Sequence, residues 1–151
     1  MRSNLSSLER QLCDIQGRLF ELALSKGYDC PSFISCFMKS QTAEMLDSSY
    51  DRLQWSGEEY ILLNLEEEVG SIEIAGELFN REVMYWSGYL YRYWHYLTEE
   101  SSKQIYEQAD GYLMKDSYLG FHTLDNVMAV EDLKELSRQK AGMESRPSSV
   151  V

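Results

Sequence analysis

Apolar residues recur at spacings of three and four over much of the chain. Leu5, Leu8, Leu12, Ile15, Leu19, Leu22 and Ala23 form one such stripe with charges between them, which predicts an amphipathic helix over 5–26. Ser6 or Ser7 fits its N-cap and Gly27 its stop, while Gly17 is an odd residue for a helix interior. Pro31 suits the first turn of a second helix reaching Asp47, with Phe33, Ile34, Phe37, Met38, Met45 and Leu46 on its apolar face. A third starts at Ser56 or Gly57, where Glu58 and Glu59 complement the positive end of the helix dipole. Val69 to Ile74 alternates weakly, like a strand, but nothing nearby would pair with it, so 69–78 reads as a loop or helix break.

The segment 80–97 differs from the rest. Asn80 can cap it, and seven aromatic residues fall between Tyr85 and Tyr96, on nearly every side of a helix. Beyond it, Ser102 to Ala109, the turn signal Asp110-Gly111 and residues 112–119 suggest two short helices. Asp125 caps a last helix to about Lys140, and a Ser-Arg-Pro-Ser-Ser tail follows. The expected architecture is an all-α, single-domain, irregular bundle of five to seven helices over 1–140, with a flexible C-terminal tail at 141–151.

Charge narrows the functional classes. With 14 Lys and Arg against 25 Asp and Glu, the net charge is −11. Phosphate backbones and anionic membranes repel such a chain, and a basic protein partner suits it. Between Leu53 and Phe79 there is no Lys or Arg, but there are seven Glu. Glu66, Glu67 and Glu68 are the densest part and would steer a cationic partner toward the surface. Cys13, Cys30 and Cys36 are odd in number and irregular in spacing, as expected of reduced thiols in a cytoplasmic protein. No secretory signal or membrane-span pattern is visible.

No motif points to a metal, a cofactor or catalysis. A helical di-metal site needs Glu-x-x-His, whereas Arg92 precedes His95 and Leu119 precedes His122 at that spacing. The aromatic segment is instead of the kind that anchors interfaces. Tyr85, Trp86, Tyr89, Arg92, Tyr93 and Trp94 combine the three residue types in which binding energy concentrates, and a chain this small has little core in which to hide them. Arg92 is also placed to form a buried pair with a Glu of the acidic stretch. Two alternatives stand beside this reading. Residues 98–121 have a helix-turn-helix rhythm, as in a DNA-binding autoregulator, although the second helix offers only Lys115 beside Asp116. A small enzyme using His95 or His122 is the other.

Four segments carry a family resemblance: Phe37-Met38-Lys39-Ser40-Gln41-Thr42-Ala43-Glu44-Met45-Leu46-Asp47, Gly88-Tyr89-Leu90-Tyr91-Arg92-Tyr93-Trp94-His95-Tyr96, Ser102-Lys103-Gln104-Ile105-Tyr106, and Phe121-His122-Thr123-Leu124-Asp125. Together they resemble a bacterial family, found mainly in gut Firmicutes, assigned as antitoxin components of toxin–antitoxin loci. The resemblance spans roughly Phe33 to Leu133. It implies a non-enzymatic protein that binds and occludes a cognate toxin, and it supplies no catalytic residues. A homodimer is the other assembly considered.

Overall fold

Local capping residues mark where several of the helices begin. The structure, a computed structural model, describes residues 4–49 and 51–145. Among these are eight α-helices and no strands, so the all-α class holds and the helix number exceeds the expected five to seven. The first is α1, Ser7–Ser25, closed by Ser6 and Glu9 in a reciprocal capping box. Gly27, at φ 82°, turns the chain out of it, a conformation that favours glycine.

The single helix expected from Pro31 to Asp47 is two. Helix α2 spans Cys30–Met38 and α3 spans Gln41–Asp47. Ser40 breaks the run: its hydroxyl donates to the Phe37 carbonyl at 2.6 Å and accepts from the Ala43 N–H at 3.0 Å. Competition of this kind between a side chain and the helical ladder is why serine favours caps over interiors. A 3₁₀ turn at Arg52–Trp55 leads to α4, Glu58–Val69. Then come α5, Arg81–Thr98, α6, Ser102–Gln108, and α7, Gly111–Phe121. Asp110, read from sequence as part of a turn, is the N-cap of α7 and accepts from the Leu113 N–H.

The last helix, α8, runs Asn126–Ser145, so residues 141–145 are helical rather than tail. The remainder of the expected tail, 146–151, lies outside the described residues. No helix among those described is long and apolar enough to cross a membrane.

Residues 70–80 form the expected loop, and its weak alternation has a use. Ile74 bridges to Tyr28 as an isolated antiparallel pair, with the Ala75 N–H donating to the Gly27 carbonyl. Asp29 anchors the loop to the start of α2, accepting from the Ser32 N–H, the Ser32 hydroxyl and the Glu77 N–H.

The centre of the molecule is α1 packed along α5. Two glycines allow the close approach. A Cβ on Gly88 would lie 2.5 Å from the Gln16 carbonyl oxygen, and one on Gly17 would lie 2.7 Å from the Tyr85 ring. Gly17 is therefore a packing residue, which its position within a helical pattern could not show. Phe20, Phe33 and Phe37 interlock beneath this pair through edge-on and stacked ring contacts.

A ring-lined groove as candidate functional site

The cover of helix α5 is uneven. Its C-terminal half is enclosed by its own chain. Tyr91 donates to the carbonyl of Ala109, just after α6, at 2.7 Å. Trp94 donates to the Glu100 carboxylate at 3.0 Å, and Lys134 of α8 lies over its indole ring. Arg92 is 2% exposed, Tyr93 8% and Trp94 0%. These three expected anchors are buried by their own chain: Asp47 of α3 holds Arg92, Lys134 of α8 lies over Trp94, and Tyr93 stacks on Tyr89.

Arg92 does form a buried pair, but with Asp47 at the end of α3 and not with a Glu of the acidic stretch. Its Nη1 lies 2.7 Å from Asp47 Oδ1, and its Nε donates to Gln16 Oε1 at 2.9 Å. Asp47 also accepts from the Ser102 N–H and hydroxyl, both at 2.8 Å. One carboxylate thus ties the end of α3, the middle of α5 and the start of α6.

His95 flanks this cluster. Its Nδ1 lies 2.6 Å from the Glu100 carbonyl, which can only accept, so the hydrogen sits on Nδ1. Burial, reinforced by the Arg92 charge, holds its pKa below the ordinary value, against the opposing pull of Asp47. The unfolded chain therefore binds the proton more readily than the folded one. Stability from His95 is present above the ordinary histidine pKa of about 6.5 and is lost as pH falls below it. Thermal melts between pH 7.5 and 5 are expected to show a falling midpoint that His95→Gln flattens; an equal slope in the variant would contradict this.

One face of the N-terminal half of α5 is open. Tyr85, Trp86 and Tyr89 are partly exposed, and with Tyr118 and His122 of the α7 end they line a groove of about 580 Å³. Neighbouring rings brace one another. Trp86 meets Tyr118 edge-on at 5.7 Å, His122 stacks on Tyr118 at 4.2 Å, and Tyr85 tilts against Tyr89 at 6.0 Å. The Tyr85 hydroxyl donates to Asp14 of α1, which fixes the ring and, together with burial, raises its pKa. Glu21, Arg81 and Glu82 complete the groove. Arg81 pairs with Glu21, whereas Glu82 is exposed and makes no ion pair among the described residues.

The acidic stretch is partly consumed by the fold. Glu66 accepts from Lys26 at 3.0 Å and from the Tyr28 hydroxyl, whose pKa the carboxylate pushes up to about 12. Glu68 accepts from the Gln41 and Thr42 N–H groups and the Thr42 hydroxyl, and so caps α3 from α4. Both carboxylates therefore hold the fold together as well as adding to the acidic surface. Glu67 remains exposed. Near it on the outer face of α4 stand Tyr60 and Leu63, and Trp55 of the 3₁₀ turn is 70% exposed. No dense motif marks these three in the sequence.

Helices α6 and α7 have the expected helix-turn-helix order. Lys115, the cation of α7, pairs with Glu77 at 3.0 Å and lies over the Phe79 ring. Cys13 and Cys30 are buried, and burial pushes the Cys13 thiol up to about 12. No protein family, curated protein or solved structure matches the chain.

Proposed function

We propose that the chain is a non-enzymatic interaction protein, an antitoxin-like partner that binds a basic protein through the groove and occludes it. The observation that carries this reading is the uneven cover of α5. Tyr91, Tyr93 and Trp94 are buried by their own chain, while Tyr85, Trp86 and Tyr89 stay partly open beside acidic side chains. Partly exposed Tyr and Trp on a rigid helix are the residue types on which binding energy concentrates, since they lose little entropy on docking. A chain of charge −11 captures cationic partners faster and repels anionic ones. The family resemblance points to the same class of activity, with toxin as partner.

The test is isolation of the chain with its native partner, followed by affinity measurement with Trp86→Ala and Tyr89→Ala. Each substitution is expected to weaken binding by about thirtyfold, the effect of losing a hot spot worth about 2 kcal/mol. Circular dichroism checks that both variants fold. A chain that isolates alone from its native cells, or a partner bound equally well by both variants, overturns the proposal.

A further inference from the structure

The groove's lining is chemically narrow. Every apolar side chain in it is an aromatic ring, and no Leu, Ile, Val or Met takes part. A slot for the apolar face of a partner helix would carry aliphatic side chains able to interdigitate with leucines. The faces of aromatic rings are negative, and rings gathered around a shared space attract cations electrostatically. Two carboxylates, Glu21 and Glu82, stand at the same opening. They make it costly for an anion to enter, and a neutral apolar group would desolvate them with nothing in return.

Arg81 shows how the opening treats a cation. Its guanidinium rests on Glu21 while its side chain is 76% exposed, so it is held at the rim and not packed within the fold. Glu82 is exposed and makes no ion pair among the described residues, although the Arg81 charge lies within reach of its field. The unpaired carboxylate leaves the groove one negative charge in excess.

We infer that the groove is a cation box, which receives the ammonium or guanidinium head of a basic side chain on the partner. Rings of Tyr85, Trp86, Tyr89 and Tyr118 surround the head, Glu82 supplies the counter-charge, and Arg81 competes for Glu21. This inference rests on the interaction reading and names what its site recognises.

Titration of the isotopically labelled chain with blocked lysine and arginine derivatives, followed by nuclear magnetic resonance, tests it. Blocked norleucine, an uncharged mimic of the lysine stem, is the control. The Trp86 indole N–H signal reports the groove, and Trp55, exposed near Glu58 and Glu59, reports diffuse attraction to the acidic surface. The charged derivatives are expected to move Trp86 saturably while Trp55 stays still and norleucine moves neither. Glu82→Gln is expected to weaken binding about threefold, the size of one exposed charge contact, and Arg81→Ala to strengthen it by freeing Glu21. Both positions are exposed, and circular dichroism checks that the variants fold. No shift, an equal shift with norleucine, or parallel movement of Trp55 overturns the inference. If these ligands fail but the native partner is still lost on Trp86→Ala, the interaction reading stands without the cation. A saturable cation response with no protein partner fails the reading and keeps the box.

Discussion

Replacing Asp47 with alanine is expected to cost about 3–5 kcal/mol in urea unfolding, the usual penalty for removing one member of a buried ion pair. The reason is the charge left behind. Arg92 is 2% exposed and keeps only neutral partners, Gln16 and Ser102, once the carboxylate is gone. The Ser102 N–H at the start of α6 loses its acceptor too. A second variant separates the two terms. Asp47→Ala combined with Arg92→Met removes the stranded charge, and buried pairs replaced by apolar residues are often close to neutral. The double variant is therefore expected to recover most of the loss, short of the cost of the orphaned N–H. A single-variant cost under about 1 kcal/mol would show that water reaches Arg92 and that the pair is not sealed. The groove lies toward the other end of α5, so cation binding by the folded fraction should be unchanged.

Gly88→Val is expected to destabilise the chain by about 3 kcal/mol, the upper part of the range for overpacking a close contact. A Cβ there meets the Gln16 carbonyl at 2.5 Å and the Phe20 ring at 2.8 Å. The first is backbone and cannot rotate away, so α1 must move off α5. Moving it also breaks the bond from the Gln16 side chain to the Gly88 carbonyl, which is 2.9 Å long. Gly17→Ala provides the contrast. Its Cβ meets mainly the edge of the Tyr85 ring, a side chain that can tilt, although the Tyr85 carbonyl lies 3.0 Å away. A smaller loss is expected there, about 1 kcal/mol after the helix propensity gained by alanine. Because Tyr85 lines the groove, that variant should also alter ligand binding. Thermal unfolding of both, with titration of Gly17→Ala, checks the pair; equal losses would mean that the α1–α5 distance adjusts freely.

These two results bear on how the fold serves its candidate site. Polar clamping at Asp47 and close glycine contact at Gly88 hold α5 against α1 and under α6. A helix held so firmly can leave three rings open at one end, since their exposure is offset by packing elsewhere.

Spacing along the chain was enough to find most helices, because an amphipathic stripe of leucines or phenylalanines has one stable way to bury itself. The cap at Ser6 was equally local, since a serine beside free N–H groups needs no distant partner. The break at Ser40 was harder to see. It needs a hydroxyl folded back on Phe37 and a carboxylate from Glu68, which is 27 residues away from Gln41. Composition likewise gave the acidic surface, but could not tell a carboxylate bound to Lys26 or Thr42 from a free one.

The aromatic helix marks the boundary most clearly. Its seven rings announced an unusual segment, and three of the six expected anchors on it, Tyr85, Trp86 and Tyr89, do stand at the groove. Arg92, Tyr93 and Trp94 share the same chemistry and the same helix, yet are interior. Periodicity describes faces of a helix, whereas cover depends on which neighbours cross it and where. Tyr118 and His122, from a segment some thirty residues on, join the site only because α7 returns past Trp86. Burial is a property of distant parts of the chain meeting in space, and residue type at one position carries no record of them.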